Sequence, residues 1–489
     1  MDFQLNSKTQ AQCSIHFFSK KGNKFHFCSC ASPMAKSDIQ KAKAKTDDKV
    51  SFGEVFFYRL PSGDSHQLLV GTGEGGNLSA EQLRQLTGFI YKRLQAEKVT
   101  SASLSLAAVP MKDKAHAVQA LTEGFEMSAY RFETFKAKPM DYDLKLNFNT
   151  NATNAKLKKS MEEGKIVAEG VNLTRWLGDC PGNFMTPTQL AEEAKKSAKG
   201  TKMKVTVWDK ARIAKEKMDS LIGVSNGSAE EPRFIIMEYK GAAASKKPIC
   251  FVGKGLTFDC GGISIKPSAG MEEMKFDMCG GGAVIGAMAT IARLKLKVNA
   301  IAFVPASENM PGPAANKPGD IRKARNGKSI EINNTDAEGR LILADALCYA
   351  SEKKPAWIVD AATLTGAMVI ALGNTHTGFY TRDNKMRDTM NKAADDCGEW
   401  VWQMPLTDYH TKDMVGFYAD LTNLAPNRQA GSATAAAFLE SFVEKGIPWV
   451  HCDVAGTAWH AGNRLEYAPK KGASGAMVRT FVQLAKNHK

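Results

Sequence analysis

Residues 248–259 have the sequence PICFVGKGLTFD, and this stretch decides the fold. A short apolar run that ends in Gly-Lys-Gly is typical of a buried parallel β-strand. Open α/β sheets place their ligands at the carboxyl ends of such strands. The chain continues as CGGISIKPSAGMEEMKFD and so supplies Lys254, Asp259, Lys266 and Asp277. We expect these four side chains to line one crevice at the edge of the sheet.

A second polar cluster lies downstream in NTDAEGRL, residues 334–341. Its two carboxylates and its guanidinium, on Asp336, Glu338 and Arg340, are two residues apart, so an extended backbone would point all three to one face. The small residues between them suit a loop that binds a hard cation through oxygen. The seven candidate residues of the two clusters are three aspartates, one glutamate, two lysines and one arginine, with no histidine among them. This set predicts two divalent ions that share carboxylates.

Both clusters resemble the signatures of the leucyl aminopeptidase family. The matching motifs are VGKGxTFDxGGxxxKP, MKxDM and NTDAEGRL, followed by DAATLTGA at residues 360–367. The resemblance extends to residues 170–187 and to the GASG turn at residues 472–475, and it covers about the C-terminal two thirds of the chain. It implies a two-metal exopeptidase that removes N-terminal amino acids, with leucine and other apolar residues preferred, from peptides with a free N-terminus.

The resemblance implies five metal ligands. Asp259 and Glu338 would bridge the two ions, which lie about 3.5–4 Å apart in paired-metal hydrolases. Asp336 would complete the shell of the first ion, partly through its carbonyl, and Lys254 and Asp277 would complete that of the second. An ammonium has no lone pair, so Lys254 would have to be neutral beside two dications. Zinc or manganese would suit these ligands, and magnesium or cobalt would also fit them.

The same resemblance implies the catalytic roles. A hydroxide held between the ions would attack the scissile carbonyl, and the free amine of the substrate would bind the second ion. Because an internal peptide bond offers no such amine, this arrangement implies an exopeptidase. Lys266 would stay charged, contact the substrate and stabilise the oxyanion. Arg340 would hold a bicarbonate ion that carries the proton from the water to the leaving amine.

The substrate pocket is assigned from the same family pattern. Thr363, Leu364 and Gly366 resemble the strand that hydrogen-bonds the substrate backbone, and Met274 resembles a wall of the side-chain pocket. Apolar residues at these positions are equally consistent with core packing.

Other interpretations stay open. Asp277 could cap the helix that follows it, and Arg340 could simply pair with Glu338. Cys260 and Cys279 lie beside the predicted ligands, but their hard-oxygen neighbours favour packing over ligation. A two-metal phosphoesterase would be expected to include histidines, and a non-catalytic relative would be expected to lack a ligand or the catalytic lysine. A cysteinylglycine-type dipeptidase is the nearest alternative enzyme, and a second role as a DNA-binding protein, as in some family members, stays open.

Length and composition predict an α/β protein of two domains. The chain has 489 residues, of which 43% are hydrophobic and 24% charged, and strand and helix patterns alternate along it. We expect a non-catalytic N-terminal α/β domain at residues 51–165, to which a strand and a Lys-rich linker at residues 1–50 also belong. Residues 166–489 are expected to form the catalytic domain, a mainly parallel sheet flanked by helices.

Hydrophobic periodicity predicts the individual elements. Strands are expected at residues 54–59, 67–70, 101–107, 248–252, 300–304, 357–361 and 449–454. Helices are expected at residues 80–97, 155–177, 283–296 and 340–351, and an ordered loop at residues 305–318. Residues 71–76, GTGEGG, satisfy the GxGxxG pattern. The acid that a dinucleotide site needs does not end the next strand, so we interpret this segment as a strand-to-helix turn.

The formal net charge of +14 raises the question of nucleic-acid binding. The lysines are spread along the chain. The densest run, residues 36–49, interleaves with aspartates and contains neither arginine nor an aromatic residue, as in a solvated linker. We therefore do not expect nucleic acid to be the primary partner.

The expected location is the cytoplasm. The longest apolar runs, about a dozen residues, are shorter than the roughly 20 that a membrane-spanning helix needs. The first fifty residues contain no arginine and no apolar segment of the kind found in targeting peptides. Ten cysteines are too sparse for a disulfide framework and are expected to be reduced. A homohexamer, built as a dimer of trimers, is implied by the resemblance alone.

Overall fold

The computed structural model describes residues 1–6, 11–21, 24–27, 36–37, 50–60, 65–151, 154–427 and 429–488. The chain divides into two compact units. Unit 1 consists of Met1–Glu169 and Leu465–Pro469, and unit 2 consists of Gly170–Arg464 and Lys470–Lys489. Most of the predicted Lys-rich linker, residues 38–49, lies outside the described residues.

A seven-stranded sheet forms the centre of unit 1. Its strands are β1 (Asp2–Asn6), β2 (Cys13–Lys21), β3 (Lys24–Phe27), β4 (Phe52–Tyr58), β5 (His66–Thr72), β6 (Ser101–Ser105) and β7 (Lys145–Asn149). The order β1-β7-β6-β2-β5 is parallel, and β4 and β3 pair antiparallel with β5 and β2. Its helices include α1 (Ala80–Ala96), α2 (Lys114–Ala129) and the first part of α3 (Ala155–Asp179), and a 3-10 turn covers Leu106–Ala108.

The core of unit 1 lies between its sheet and two helices. Leu68 of β5 and Leu104 of β6 belong to one buried cluster with Leu83 of α1 and Leu121 of α2. Successive side chains of a strand point to opposite faces, so Leu68 of β5 belongs to this cluster while its neighbour Leu69 packs with Phe18 in a second, smaller one.

A nine-stranded sheet forms the centre of unit 2. Its strands are β8 (Lys204–Trp208), β9 (Arg233–Lys240), β10 (Ile249–Gly253), β11 (Gly255–Asp259), β12 (Asn299–Asn309), β15 (Trp357–Ala362), β16 (Thr377–Tyr380), β17 (Val401–Gln403) and β19 (Trp449–Asp453). The order is β17-β16-β19-β15-β10-β12-β9-β8, and β11 pairs with β12. The central strands β19, β15, β10 and β12 are parallel to one another. A separate three-stranded sheet contains β13 (Asp320–Lys323), β14 (Ser329–Ile332) and β18 (Leu421–Thr422).

Helices cover both faces of the large sheet. They are α4 (Pro187–Ser197), α5 (Lys210–Lys215), α6 (Asp219–Ser225), α7 (Cys279–Arg293), α8 (Gly339–Glu352), α9 (Gly366–Leu372), α10 (Asn384–Cys397), α11 (Asp408–Lys412), α12 (Gly431–Glu440) and α13 (Val478–Asn487), with 3-10 segments at Met271–Met278 and Ala461–Asn463. Val252 of β10 clusters with Leu341 and Leu347 of α8, whereas its neighbour Phe251 contacts Phe481 of α13. Such alternation shows that the strand is buried on both sides, as expected for a parallel sheet.

The predicted fold class is confirmed, because both units are α/β and the central strands of the large sheet of unit 2 are parallel. Several element boundaries were wrong, among them those of the helix predicted at residues 283–296, which spans Cys279–Arg293. The strand predicted at residues 300–304 extends to Asn309, so the first part of the predicted loop at residues 305–318 is strand. The strand predicted at residues 101–107 ends at Ser105 and is followed by a 3-10 turn. Among the described residues, no helix combines the length and hydropathy that crossing a bilayer demands.

Candidate metal centre

The five predicted ligands come together at the carboxyl edge of the central strands of unit 2. Lys254 directly follows β10, and Asp259 is the last residue of β11. Asp277 lies in the 3-10 segment before α7, and Asp336 and Glu338 lie in the loop between β14 and α8. The parallel topology explains this convergence, because strands that run in one direction end at one edge of the sheet.

Lys254 lies in the buried part of this cluster. Its Nζ is 2.8 Å from Oδ1 of Asp277 and 2.8 Å from Oε1 of Glu338, and it donates to the carbonyl of Thr363 at 3.0 Å. Only 2% of Lys254 is exposed. Its ammonium group is therefore the counterion of two buried acids.

Lys266 neutralises the other two acids from a more open position. Its Nζ is 2.7 Å from Oδ2 of Asp259 and 2.6 Å from Oδ1 of Asp336, and 21% of its side chain is exposed. The second carboxylate oxygen of Asp259 accepts hydrogen bonds from the N–H of Gly261 at 2.9 Å and from Nδ2 of Asn309 at 2.8 Å. The orientation of Asp259 is thus fixed by contacts from three sides.

Arg340 is the second residue of α8 and is 6% exposed. Its Nη1 donates to the carbonyl of Asn423 at 2.9 Å, while its Nε has no hydrogen-bond partner among the described residues. Burial lowers the pKa of Arg340 to about 10. The alternative in which Arg340 pairs with Glu338 is not observed in the part of the chain that the structure describes. Nor does Asp277 cap α7, because Met278 occupies the N-cap position.

The pKa shifts of the site show how strongly its charges are coupled. Burial lowers the pKa of Lys254, but the charges of Asp277 and Glu338 outweigh burial and hold this pKa above its ordinary value. Burial raises the pKa of Asp277 to about 6, and Lys254 opposes part of that rise. Burial also acts to raise the pKa of Glu338, but Lys254 and Lys266 outweigh it and leave this pKa lowered. The pKa of Asp259 is raised well above its ordinary value by burial and by the neighbouring acids.

The cluster fits divalent cations. Carboxylate oxygens of Asp259, Asp336 and Glu338 lie within 4.8 Å of one another. Oε2 of Glu338 is buried and has no hydrogen-bond partner among the described residues, although a buried acceptor normally has one. Four carboxylates face two ammonium groups, so the ionised cluster carries excess negative charge. Hard oxygen donors and excess negative charge are what divalent ions require.

The two neighbouring cysteines do not add to this donor set. Sγ of Cys260 donates to the carbonyl of Asn309 at 3.1 Å. Burial raises the pKa of the thiols of both Cys260 and Cys279. A thiol binds a metal as the thiolate, so this environment does not favour either residue as a ligand.

The residues predicted to bind substrate lie near the acids, but they do not form a strand. Thr363 and Leu364 lie in the loop after β15, and Gly366 begins α9. Oγ1 of Thr365 accepts a hydrogen bond from the backbone of this helix, so the chain turns where the sequence pattern predicted a strand. Oγ1 of Thr363 lies 2.7 Å from Oδ1 of Asp277. Met274 is half-buried and lies three residues before Asp277 in the 3-10 segment, which places both on one side of it.

Sequence reasoning missed three buried polar residues beside the site. Asn309 contacts Asp259, Asn423 contacts Arg340, and Asp453 accepts hydrogen bonds from the N–H groups of Leu364 and Thr365 at 3.2 and 3.4 Å. Asn309 is the last residue of β12 and lies beyond the strand predicted at residues 300–304, whereas Asp453 is the last residue of β19 and lay within the predicted strand at residues 449–454. Asn423 lies in a loop and carries no local signal. Glu308, the neighbour of Asn309 in β12, accepts a hydrogen bond from Ser228 at 2.6 Å.

Comparisons with known sequences match nearly the whole chain. The sequence model of the catalytic domain of the cytosol aminopeptidase family matches residues 172–482, and that of the N-terminal domain of the same family matches residues 34–139. A probable cytosol aminopeptidase of Bdellovibrio bacteriovorus is 57% identical over 449 residues, which are 91% of this chain and 89% of that protein. A probable cytosol aminopeptidase of Burkholderia mallei is 43% identical over 88% of this chain and 86% of its own length.

Solved structures agree in fold over the full length. A mutant of tomato leucine aminopeptidase superposes with a TM-score of 0.88 at 29% identity, covering 100% of this chain and 97% of that one. The bottromycin maturation enzyme BotP in complex with Mn superposes with a TM-score of 0.86 at 28% identity, covering 98% and 99% of the two chains.

Proposed function

Because the chain belongs to the cytosol aminopeptidase family and is an aminopeptidase, we propose that it releases N-terminal amino acids from peptides with two divalent ions at the acid cluster. Leucine and other apolar residues are the preferred N-terminal residues. The observation that carries this proposal is the convergence of four carboxylates and two lysines at one edge of the catalytic sheet. In this proposal residues 166–489 are the catalytic domain and residues 1–165 are non-catalytic.

The proposed ligands are Lys254, Asp259, Asp277, Asp336 and Glu338. Support comes from the close approach of three carboxylates and from the buried carboxylate oxygen that lacks a protein partner. Zinc or manganese would suit these ligands, and the structure of BotP in complex with Mn gives manganese support from a relative. When bound, two such ions would polarise the substrate carbonyl and acidify a water towards neutral pH.

Lys254 has to lose its proton to act as a ligand, since an ammonium has no lone pair. Nζ of Lys254, which neutralises Asp277 and Glu338, would then contact these two acids together with a divalent ion. The proton and the dication compete for the same carboxylates, so metal binding is expected to release protons.

Lys266 and Arg340 supply the remaining charges of the proposed mechanism. Lys266 is the more exposed of the two lysines, and its charge is held by Asp259 and Asp336. From there it stabilises the oxyanion that develops on the substrate carbonyl. Arg340 would hold a bicarbonate ion, which when bound would supply a carrier for the proton that the leaving amine needs. Its buried Nε, without a partner among the described residues, is a donor available to that anion.

The substrate enters with its free amine towards the acid cluster. Met274 forms a wall of the side-chain pocket, and Thr363, Leu364 and Gly366 contact the substrate backbone from the loop after β15 and the start of α9. The protein works as a homohexamer, a dimer of trimers, in the cytoplasm. These two statements rest on the family resemblance and on the family's description.

The test is release of free amino acid from leucyl-peptides by chelator-stripped protein, with each divalent ion added back in turn. We expect cleavage that needs the metal, that is lost when the substrate is N-acetylated, and that is lost in Lys266→Ala. Lys317→Ala, which removes an exposed lysine paired with Asp320, is the matched control and should keep activity. Cleavage of N-acetylated substrate, or no cleavage with any ion, would refute the proposal. A higher kcat/KM for cysteinylglycine than for leucylglycine would favour the alternative dipeptidase.

A further inference from the structure

Asn423 is fully buried beside the loop that carries two of the proposed ligands. It follows β18, which runs parallel to β14 with Thr422 opposite Glu331, and its N–H donates to the carbonyl of Glu331 at 3.0 Å. The two strands end at the same edge of the small sheet. The loop that leaves β14 towards Asp336 and Glu338 therefore passes directly over the side chain of Asn423.

The amide of Asn423 makes hydrogen bonds along this loop. Its Oδ1 accepts from the N–H groups of Asn333 at 2.9 Å and Asn334 at 3.2 Å. Its Nδ2 donates to the carbonyls of Asn334 at 2.6 Å and Ala337 at 3.4 Å. An amide has two donor hydrogens and an oxygen with two lone pairs, so its whole capacity is used. One side chain thus spans the loop from its first residue to the residue before Glu338.

The backbone of the same residue holds Arg340. The carbonyl of Asn423 accepts from Nη1 of Arg340 at 2.9 Å. The position of this carbonyl is fixed in two ways. The N–H of Asn423 donates to Glu331 of β14, and β18, which directly precedes Asn423, pairs with β14. The contact therefore links the guanidinium to the sheet from which the ligand loop departs.

We propose that Asn423 is a positioning residue of the metal centre, with its amide spanning residues 333–337 and its carbonyl holding Arg340. It keeps Asp336, Glu338 and Arg340 in place whether or not an ion is present. The inference rests on the proposed function and deepens it, because it names what preorganises the ligand loop. Groups that orient metal ligands from outside the coordination shell change metal affinity by about 10- to 100-fold when they are removed.

These contacts need the amide group of Asn423, and a side chain of the same shape without that amide would not make them. In Asn423→Asp a carboxylate oxygen would face the carbonyls of Asn334 and Ala337, which it repels. In Asn423→Ala four backbone groups of the loop would lose their partner, without any added charge. Both variants should loosen the loop by different physical routes.

Asn299 provides a matched control. Its Nδ2 donates to the carbonyls of Ala243 and Lys246 at 2.8 and 3.0 Å, and its Oδ1 accepts from the N–H of Ala242 at 3.1 Å. It also ties a loop together, but it is the first residue of β12 and lies at the amino end of that strand. Asn299→Asp breaks the same kind of contact away from the acid cluster.

The experiment measures the Kd for Mn²⁺ by chelator competition in the stripped full-length protein and its variants. We expect the Kd to rise about 10- to 100-fold in Asn423→Asp and Asn423→Ala and to stay unchanged in Asn299→Asp. Folded Asn423 variants that bind Mn²⁺ as the wild type does would overturn the inference and leave the proposed function intact. A wild-type protein that neither binds Mn²⁺ nor cleaves leucyl-peptides would refute the proposed function itself.

If the Asn423 variants fail to fold, a measurement on the wild-type protein still tests the inference. In the stripped protein, hydrogen exchange of peptides spanning residues 333–337 should be slow before Mn²⁺ is added, because Asn423 already holds this loop. Exchange at the rate of an unstructured loop, becoming slow only with Mn²⁺, would show that the ion and not Asn423 orders the segment. That result would overturn the inference.

Discussion

Lys254 and Lys266 show how burial decides the cost of a charge. Each ammonium contacts two carboxylates, but 2% of Lys254 is exposed, whereas 21% of the side chain of Lys266 is. Removing one partner of a buried ion pair leaves a charge that water cannot reach, and this costs more than any single surface contact contributes. The two lysines should therefore differ in their effect on stability.

We expect Lys254→Met to lower the free energy of unfolding of the chelator-stripped protein by about 3–5 kcal/mol. Lys266→Met, as the control, should lower it by clearly less. Without Lys254 the pKa of Asp277, already raised by burial, rises further, and that of Glu338 rises above its value in the unfolded chain, so the folded variant binds protons more tightly than its unfolded form. The loss of unfolding free energy in Lys254→Met, relative to the wild type, should then grow as the pH rises from about 4 through 7 and shrink in acid. Urea unfolding at several pH values measures this loss. If Lys254→Met and Lys266→Met lost the same unfolding free energy at every pH, the difference in burial would not explain their stability.

The predicted site residues were accessible to sequence analysis because short motifs contain them. Lys254 and Asp259 are five residues apart, and Asp336 and Glu338 are two apart, so local spacing indicated the clusters and the family resemblance supplied the role of each residue. Asn309 was missed because it contacts Asp259 through strand pairing, in which the two residues are register partners fifty positions apart. No local pattern encodes that register.

At the scale of elements, the start of α7 is packed against the sheet more tightly than a side chain allows. A Cβ on Gly280 would lie 2.1 Å from the carbonyl oxygen of Ala361 in β15. A Cβ on Gly282, two residues on, would meet nothing nearer than 3.5 Å. The helix can approach β15 only because its first turn carries glycine at the contact.

Gly280→Ala should therefore lower the free energy of unfolding by about 1–3 kcal/mol, because the added methyl forces α7 away from β15. Gly282→Ala should leave the stability equal or higher, since alanine favours a helix over glycine. Urea unfolding of the two variants side by side gives the comparison. If both lose the same amount, the close approach at Gly280 is not what limits packing.

The length of β12 shows why one element boundary escaped prediction. Pro305 lacks an N–H, so the sequence pattern ended the strand before it. On one side of β12 the ladder passes from β10, with Val252 opposite Phe303, to β11, with Gly255 opposite Ala306. Pro305 lies in the gap between these partners, where that ladder is already interrupted. The strand accepts Pro305 because of how it pairs with strands that are distant in sequence, and the sequence pattern does not show that pairing.

At the scale of the whole molecule, the alternation of strands and helices predicted the α/β class but not the arrangement of strands. In the large sheet the order β17-β16-β19-β15-β10-β12-β9-β8 places strands together that are far apart in sequence. Such an order depends on which faces pack best after collapse, and local periodicity carries no information on it. The assignment of Leu465–Pro469 to unit 1, within a stretch otherwise belonging to unit 2, was likewise beyond local patterns.

Divalent ions should protect the two units unequally, because all five proposed ligands belong to unit 2. A ligand that binds only the folded state stabilises it by about 2.7 kcal/mol at 100 times its Kd. Adding Mn²⁺ to stripped protein should slow hydrogen exchange in peptides covering residues 254–259 and 271–278. Peptides from β1, β2 and β5–β7 should exchange as before, and the same concentration of chelated Mn²⁺ is the control. Equal slowing in both units would contradict the assignment of the ions to unit 2.

Sodium and potassium ions vastly outnumber transition-metal ions in living matter. The two lysines determine how well these alkali ions can bind at the acid cluster. Each ammonium already sets one positive charge against a pair of carboxylates. An alkali ion that replaced one of these ammonium groups would bring the same charge, so the exchange gives no electrostatic gain, whereas a dication brings twice the charge to the same oxygens. In such an exchange, valence favours a divalent ion over the common monovalent ions before the size or the coordination geometry of the ion matters.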